Sequence, residues 1–290
     1  GTSSWFTGVN FMRLLNTQEP PVLFETFTRP WELSFMAKLD GEIAFITGAT
    51  AGFGEAIARL FAAEGARVIA TGRRSDRLEA LKSDLGDGCL TVTLDVRDRT
   101  AVESAIAGLT NEFAEVSILV NNAGLALGRA PAWEADIDDW ETMIDTNIKG
   151  VLYCTRAIMP GMVDRDRGHV INVASVAGNH FGPGGPVYGA TKSFVTQFAM
   201  NTRADLIGRN VRVTSISPGM SETEFDIVRT GNPDANFYED FKPMTSDDIA
   251  QVLLDIVTLP SHVNVNTLEV MPVAQTFGAR LVHRGPSKGA

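Results

Sequence analysis

Three side chains in one stretch of the sequence have the types and spacing of an acid–base site. Ser175 is followed by Tyr188, and Lys192 comes four residues after the tyrosine. If Tyr188 and Lys192 lie on one helix, this spacing places both on the same face. A nearby ammonium favours phenolate and so lowers the pKa of a tyrosine, which is about 10 in isolation. With the serine hydroxyl holding a carbonyl oxygen, the set predicts reduction of a carbonyl or oxidation of an alcohol, provided that a hydride carrier binds beside it.

The Tyr-x-x-x-Lys spacing alone has a simpler interpretation. Many helix edges carry a half-buried tyrosine and a solvated lysine four residues apart without any chemistry. The acid–base interpretation therefore depends on a second motif, one that binds a hydride carrier close to Tyr188.

The elements that must position these residues begin near residue 42, where short apolar runs start to alternate with segments of helical spacing. Continuously apolar strands separated by helices are typical of a parallel sheet that is covered on both faces. The sequence thus predicts a single-domain α/β fold. This is a Rossmann-type, doubly wound parallel sheet of about seven strands with helices on both faces and a ligand crevice at the carboxyl ends of the strands. The predicted strands are 43–47, 67–71, 90–94, 117–121, 169–174, 211–216 and 266–270, and the predicted helices are 53–64, 75–85, 98–113, 136–164, 186–207 and 245–258.

A glycine-rich segment follows the first predicted strand and reads Thr47-Gly48-Ala-Thr-Ala-Gly52-Phe53-Gly54. Gly48 permits a tight turn, Gly52 lets the backbone approach a pyrophosphate, and Gly54 permits close packing of helix and strand. The helix that begins near Phe53 directs its N-terminal amides at phosphate charge. Because the segment lies between the first strand and the first helix, it predicts a dinucleotide site rather than an incidental loop.

Two arginines at the end of the second predicted strand indicate which dinucleotide binds. A site for NAD has an acidic residue at this position, which hydrogen-bonds the ribose hydroxyls. This chain has Arg73 and Arg74 instead, and a guanidinium holds a 2'-phosphate through forked, charge-assisted hydrogen bonds. The sequence therefore favours NADP(H), the alternative being a solvated arginine pair at a helix start.

Taken in order along the chain, these motifs resemble those of the short-chain dehydrogenase/reductase family. The glycine loop at 47–54 is followed by Asn-Asn-Ala-Gly at 121–124 and by Ser-Pro-Gly at 217–219, and the likeness covers about residues 42–284. The resemblance implies a cofactor site formed by Gly48, Thr50, Gly52, Phe53, Gly54, Arg73, Arg74, Asp95, Val96, Asn122, Ala123, Gly124, Tyr188, Lys192, Pro218 and Gly219.

The resemblance also implies a catalytic tetrad of Asn147, Ser175, Tyr188 and Lys192. Tyr188 is then the general acid/base, while Lys192 lowers the pKa of that tyrosine and hydrogen-bonds the nicotinamide ribose. Ser175 holds the substrate oxygen at the position where negative charge develops. Asn147 anchors a water that relays protons from Lys192 to solvent.

Within the family, the chain is most similar to the bacterial NADP-dependent 3-hydroxy acid dehydrogenases, which act on serine, L-allo-threonine and 3-hydroxypropionate. The likeness is carried by segments such as GATAGFGEAIARLF, ILVNNAGLALG and LPSHVNVNTLEVMPV. It implies that the enzyme interconverts a small 3-hydroxy acid and the corresponding 3-oxo acid or semialdehyde. The alternative is an NADPH-dependent reductase of another small polar aldehyde or ketone, such as sulfoacetaldehyde.

The substrate site is expected to include Ser175 and Tyr188 together with three further residues. His180 and Phe181 lie in the segment between these two, which is expected to line the pocket. A 3-hydroxy acid also needs a cation for its carboxylate. Arg229, in a segment predicted to be flexible, is the first candidate, the alternative being a solvated arginine.

The composition limits the classes of partner. The chain has 290 residues and a formal charge of −10, and an acidic chain is a poor partner for nucleic acid or an anionic membrane. No apolar run approaches the roughly 20 residues of a membrane span, and no His, Cys and Asp residues have metal-ligand spacing. We therefore expect an enzyme that binds a small-molecule substrate but no metal, nucleic acid or membrane. The two cysteines, Cys89 and Cys154, have no metal-like or redox-like spacing and are interpreted as reduced thiols, which favours the cytoplasm.

The expected organisation is an N-terminal extension, residues 1–36, followed by the dehydrogenase domain, residues 37–290, with a substrate loop at about 218–244. The extension carries prolines and aromatic residues without clear periodicity. It is interpreted either as an addition upstream of the natural start or as an arm that contacts a neighbouring subunit. The resemblance implies that the helices at 136–164 and 186–207 pair across a two-fold axis, giving a homodimer or homotetramer.

Overall fold

The computed structural model describes residues 37–232, residue 238, residues 241–277 and residues 282–283. The compact unit that contains the sheet begins at Ala37. The predicted extension lies outside the described residues, as do parts of the predicted substrate loop.

The core of the fold is a sheet of seven strands in the order β3-β2-β1-β4-β5-β6-β7. Every neighbouring pair is parallel. The strand order reverses between β1 and β4, and the prediction of a doubly wound parallel sheet is confirmed. The strands are β1 (Ile43–Thr47), β2 (Arg67–Gly72), β3 (Cys89–Thr93), β4 (Ile118–Asn121), β5 (Gly168–Val173), β6 (Val211–Pro218) and β7 (Thr267–Val270).

Helices cover both faces of the sheet. Alternate residues of β1 belong to two separate hydrophobic cores: Ile46 packs in one with Phe61 and Leu253, whereas Phe45 packs in the other with Met162. Burial on both faces explains why the strands are continuously apolar. The helices are α1 (Gly52–Ala63), α2 (Ser75–Leu85), α3 (Arg99–Ala107), α4 (Ile137–Ile144), α5 (Gly150–Asp164), α6 (Val176–Asn179), α7 (Pro186–Asp205), α8 (Phe225–Thr230) and α9 (Ser246–Val257).

The structure differs from the predicted elements at four helices. The predicted helix 136–164 is two helices, α4 and α5, joined by a π-helical turn at Asp145–Lys149. The predicted helix 98–113 ends at Ala107, because Gly108 follows as its C-cap and favours termination. The helices α6 and α8 were not predicted, since four and six residues are too short to show a helical period.

No helix among the described residues has the length and apolarity that a bilayer crossing requires.

Candidate active site

The carboxyl ends of the strands surround a cavity of about 610 Å³. Loops that follow β1 to β6 line it, which is the crevice expected of a doubly wound sheet. Among the residues predicted from the sequence, the cavity is lined by Gly48, Thr50, Gly52, Phe53, Arg73, Arg74, Asp95, Val96, Asn122, Ala123, Gly124, Ser175, Tyr188, Lys192, Pro218, Gly219 and Arg229. The predicted residues that do not line it are Gly54, Asn147, His180 and Phe181.

Glycine is required at two positions between β1 and α1. Gly48 has a φ of +68°, and a Cβ there would lie 3.0 Å from the Cα of Ala123. Gly54 packs so closely on the carbonyl oxygen of Gly48 that no side chain fits. Thr47 Oγ1 accepts hydrogen bonds from the N–H groups of Asn122 (3.0 Å) and Ala123 (2.9 Å). The glycine loop and the loop after β4 therefore form one continuous wall of the cavity.

The N-terminus of α1 suits a phosphate group. The residue before the helix is Ala51, and no side chain caps the first amides. Amides in the first turn of a helix lack partners within the helix, and their dipoles favour negative charge. Gly52 and Phe53, at this end of α1, line the cavity. The geometry thus fits the pyrophosphate of a dinucleotide.

A network of charged groups follows β2. Arg74 donates from Nε and Nη2 to Thr50 at 3.0 to 3.1 Å and from Nη1 to Glu224 at 3.0 Å. Arg77 Nη1 donates to the other carboxylate oxygen of Glu224 at 2.7 Å. Partial burial opposes ionisation of Glu224, but the hydrogen bonds from Arg77 and Arg74 outweigh it and lower the pKa of the carboxyl. Arg73 is exposed and has no hydrogen bond or ion pair with any residue that the structure describes.

Asp95 lies on the cavity wall after β3. Arg97 pairs with the carboxylate at 2.6 Å. The side-chain hydrogen bond from Arg97 holds the pKa of Asp95 below its usual range, even though partial burial opposes the shift. The carboxylate is therefore charged and available as an acceptor beside Val96, which also lines the cavity.

Ser175, Tyr188 and Lys192 line one end of the same cavity. Ser175 precedes α6, and its Oγ accepts a hydrogen bond from the N–H of Ala177 at 3.1 Å. Tyr188 lies in the first turn of α7, where its ring is 5.4 Å from the ring of Phe225. Lys192 lies one turn further along α7, with Nζ 6.0 Å from the centroid of the Tyr188 ring. Both residues are thus presented by one face of one helix.

Lys192 is buried and has a defined partner. The Nζ group donates to the carbonyl oxygen of Val173 at 2.7 Å, at the end of β5. Burial lowers the pKa of Lys192 to about 8, because the charged form is poorly solvated. An ammonium at this depth favours an anionic neighbour over a neutral one, and it shares the cavity wall with Tyr188.

Asn147 holds the loop after β4 against α7. The amide Nδ2 donates to the carbonyl of Leu125 at 2.8 Å and to Thr191 Oγ1 at 3.0 Å, and Oδ1 accepts from the N–H of Leu125 at 2.9 Å. Asn147 belongs to the π-helical turn, a distortion that is frequent at functional sites. A Cβ on Gly124 would lie 3.1 Å from Lys192 Nζ and 3.2 Å from Asn147 Oδ1. The space beside Gly124 therefore joins these two polar groups.

Of the predicted substrate residues outside the tetrad, Arg229 is the one that the fold brings to the cavity. It lies in α8 and is buried, although the sequence indicated a flexible segment. Nη2 donates to the carbonyl of Gly184 at 2.6 Å and Nε to that of Gly128 at 3.3 Å. The guanidinium carbon is 5.9 Å from the centroid of the Tyr188 ring.

His180 and Phe181 do not reach the cavity in this structure. Ser175 is the N-cap of α6, and His180 and Phe181 follow the other end of that helix, which ends at Asn179. His180 Nε2 lies 3.0 Å from Glu269, and the Phe181 side chain is fully exposed.

Several cavity residues were missed in the sequence. Gln275 accepts a hydrogen bond from the N–H of Met220 at 2.8 Å. Asp226 pairs with Arg129 at 3.1 Å and accepts from the hydroxyl of Tyr238 at 2.6 Å. These contacts join distant segments, and no motif marks them; the position of 218–230 after β6 was the one available signal.

The assembled groups can transfer a proton to or from a substrate oxygen beside a bound dinucleotide. Ser175 has a hydroxyl that can hold that oxygen, Tyr188 has a phenol that can exchange the proton, and Lys192 can place a positive charge nearby. Within the described ranges, no group of three or more His, Cys, Asp or Glu side chains could hold a metal ion.

Comparison with known proteins agrees with this geometry. The family model described as short chain dehydrogenase matches residues 42–232. The NADP-dependent 3-hydroxy acid dehydrogenase YdfG of Salmonella typhi is 54% identical over 246 residues, which are 83% of this chain and 99% of that protein. The serine 3-dehydrogenase of Rhizobium radiobacter is 51% identical over 242 residues, 82% of this chain and 97% of that protein.

Two solved structures of serine dehydrogenases are also similar. The closed form of a serine dehydrogenase complexed with NADP+ has a TM-score of 0.80 and 52% identity, covering 83% of this chain and 99% of that one. The serine dehydrogenase of Escherichia coli has a TM-score of 0.73 and 51% identity, covering 81% and 100%. The chain belongs to the short-chain dehydrogenase family.

Proposed function

We propose that this enzyme is an NADP(H)-dependent oxidoreductase that interconverts a small 3-hydroxy acid and its 3-oxo acid or semialdehyde. Candidate substrates are serine, L-allo-threonine and 3-hydroxypropionate. The observation that carries the proposal is the shared cavity: Ser175, Tyr188 and Lys192 line one end of it, and the uncapped start of α1 lines another part. The names of the related 3-hydroxy acid and serine dehydrogenases support the same reaction.

The cofactor site fits NADP(H) on the residues present. Gly48 and Gly52 leave room for the backbone to approach the pyrophosphate, and the amides of α1 supply its hydrogen bonds. Arginine follows β2 where a site for NAD has an acid, which matches a 2'-phosphate. When bound, the nicotinamide supplies the hydride acceptor or donor.

Tyr188 performs the proton transfer. In oxidation, the phenolate oxygen takes the hydroxyl proton of the substrate while hydride leaves the carbon; in reduction, the phenol returns that proton. Ser175 Oγ donates to the substrate oxygen, where negative charge develops during hydride transfer. Lys192, buried beside Tyr188, favours the phenolate through its positive charge.

A proton path leads away from Tyr188 through Lys192. The space beside Gly124 lies between Lys192 Nζ and Asn147 Oδ1, and it is bounded by two polar groups that can hold a water. We assign Asn147 the role of anchoring that water, so that the proton reaches solvent after each oxidation.

Arg229 is assigned to the substrate carboxylate. Its guanidinium lies beside the Tyr188 ring, and a 3-hydroxy acid separates its hydroxyl and carboxylate by only a short carbon chain. A substrate that places its hydroxyl on Tyr188 can therefore direct its acid group at Arg229, where charge-assisted hydrogen bonds orient it.

The test is a comparison of NADP+-dependent oxidation rates for L-serine, L-allo-threonine, 3-hydroxypropionate, isethionate and a neutral secondary alcohol. The proposal expects the highest kcat/KM with one of the three carboxylates. Preference for isethionate would instead identify the enzyme as a sulfoacetaldehyde reductase, and preference for the neutral alcohol would contradict a role for Arg229.

We further infer that the enzyme is cytoplasmic and forms a homodimer or homotetramer through α5 and α7. The rings of Phe194 and Phe198 on α7 stack at 5.9 Å and are only partly buried, as expected for a face that packs on another subunit. Sedimentation or light scattering measures the mass; a monomer at micromolar concentration would contradict the assembly.

A further inference from the structure

We propose that Glu224 is a positioning residue that fastens the segment carrying Arg229 to Arg74 and Arg77, leaving Arg73 as the arginine that binds the 2'-phosphate. The inference rests on the proposed function, because it takes Arg229 as the site of the substrate acid group. The sequence presents Arg73 and Arg74 as one cofactor motif. The proposal assigns Arg73 to the cofactor and Arg74 to the segment that carries Arg229.

Glu224 is held by both of its carboxylate oxygens. One oxygen accepts from Arg74 Nη1 at 3.0 Å and the other from Arg77 Nη1 at 2.7 Å. Each of the three side chains is about two-fifths exposed, at 41% or 42%. The carboxylate thus bridges two positive charges on the loop and helix that follow β2, although it is 150 residues away from Arg74 in the chain.

Each of the three guanidinium nitrogens of Arg74 donates a hydrogen bond to a protein group. Nε and Nη2 donate to the side chain and carbonyl of Thr50, and Nη1 donates to Glu224. Arg73 is exposed, lines the cavity and makes no hydrogen bond or ion pair with the described part of the chain. A forked contact with phosphate needs two parallel N–H donors. Arg73 supplies these donors without breaking an existing contact, and Arg74 does not.

The anchor at Glu224 acts directly on the substrate end of the cavity. Glu224 immediately precedes α8, whose first residue, Phe225, packs on the ring of Tyr188 at 5.4 Å and whose fifth residue is Arg229. A helix of six residues is not stable by itself. The position of α8, and with it the position of the Arg229 guanidinium, is therefore set by contacts with the rest of the protein. Asp226 and Arg229 make such contacts within the helix, and Glu224 makes the contact at its N-terminal end.

The test compares Glu224→Gln with Glu222→Gln and Arg73→Met. Glu222→Gln makes the same charge change two residues earlier, at an exposed side chain that does not line the cavity. Because two exposed ion pairs together are worth a factor of about five in an equilibrium constant, Glu224→Gln is expected to raise KM for the acid substrate about fivefold. The Kd for NADPH is expected to stay within about twofold of wild type, and Glu222→Gln is expected to match wild type in both constants.

Arg73→Met is expected to show the opposite pattern. Loss of the 2'-phosphate contact raises the Kd for NADPH while the Kd for NADH and the KM for the acid stay close to wild type. Hydrogen exchange of the amides of α8, measured on the NADP+ complex, supplies a readout that does not depend on turnover: exchange is expected to speed up in Glu224→Gln and not in Glu222→Gln.

Three results would overturn the proposal. An unchanged KM and unchanged exchange in Glu224→Gln would remove the anchoring role. Tighter NADPH binding in that variant would mean that the carboxylate competes with the 2'-phosphate instead of holding α8 in the complex. A loss of NADPH affinity in Arg74→Met equal to that in Arg73→Met would show that both arginines bind the 2'-phosphate. Failure of the proposed function is seen separately, as absence of wild-type turnover with any 3-hydroxy acid.

Discussion

Arg229→Met removes a buried positive charge from the substrate end of the cavity but keeps an unbranched side chain. In the wild-type protein the guanidinium carbon lies 5.9 Å from the centroid of the Tyr188 ring, within reach of the acid group of a short substrate bound at that tyrosine. A hydrogen bond to a charged group contributes about 1.5–3 kcal/mol. Loss of one such bond is expected to lower kcat/KM for 3-hydroxypropionate about tenfold to a hundredfold.

The same substitution also has a structural cost, which must be separated from the kinetic effect. The carbonyls of Gly128 and Gly184 each lose a donor. Both lie on loops that are not fully buried, so that water can replace the guanidinium. We therefore expect a loss of about 1 kcal/mol of stability and a decrease of about 2–4 °C in Tm, measured by thermal unfolding.

The assay compares 3-hydroxypropionate with 1,3-propanediol, in which a neutral CH₂OH group replaces the carboxylate. Arg229→Met is expected to reduce kcat/KM for the acid and to leave that for the diol within about threefold, because the diol does not use the guanidinium. Arg129→Met, at the exposed arginine that pairs with Asp226, is the control. Equal losses with both substrates, or a selective loss in Arg129→Met in place of Arg229→Met, would refute the reasoning.

Three further predictions concern proton transfer, the glycine loop and acid stability. Tyr188→Phe is expected to reduce kcat at least a hundredfold, since general acid–base catalysis contributes about 10²–10⁴, while NADPH fluorescence titration gives a near-normal Kd; retained turnover would contradict the assignment. Gly48→Ala is expected to lower both Tm and NADPH affinity, because the φ of +68° and the approach to Ala123 at 3.0 Å both oppose a side chain; an unchanged Tm would show that the loop relaxes freely. Burial lowers the pKa of His169 from 6.5 to about 3. Below pH 6.5 the unfolded chain therefore takes up a proton that the folded chain does not, and the free energy of unfolding falls by roughly 2 kcal/mol between pH 6.5 and 5. Denaturant unfolding across this range is expected to show a flatter dependence for His169→Gln, and an equal slope would remove His169 as the cause.

The fold was predictable because its signals are local. A strand such as β1 is buried at every position and begins with an apolar run, Ile43 to Ile46, since both faces are covered. Glycine or a polar residue marks most strand ends. The errors in the predicted helix boundaries occur where a helix is interrupted but the composition of the sequence does not change. Residues 136–164 keep an apolar helical period through the π-helical turn, so the sequence does not reveal that one extra residue is inserted at Asp145–Lys149.

The site residues were predictable at positions that only one residue type can occupy. Glycine at 48 and 54 is required by backbone approach, and these positions follow directly from the motif. Contacts between distant segments left no such mark. Glu224 is held at the cavity by the side chain of Arg74, and Gln275 is held there by the backbone N–H of Met220. Neither partner can be inferred from sequence spacing. His180 and Phe181 were placed by proximity to Ser175 in sequence, but the turn of α6 separates them from it.

Because Arg73 and Arg74 have different roles in this proposal, a substitution at Arg73 changes cofactor preference alone. A substitution at Arg74 changes the affinity for the substrate as well. Arg73 contacts no described residue through hydrogen bonds or ion pairs, so replacing it by serine changes the affinity for the 2'-phosphate and leaves α8 in place. Arg74 holds Thr50 and Glu224 together, so replacing it by serine also removes one of the two arginines that anchor α8. An enzyme converted towards NAD(H) by Arg73→Ser is therefore expected to keep its KM for the acid substrate. Arg74→Ser is expected to raise that KM about twofold, less than Glu224→Gln does, because the ion pair between Arg77 and Glu224 remains. Steady-state kinetics at saturating cofactor distinguishes the two, and an equal KM in both arginine variants would show that the pair acts as a single unit.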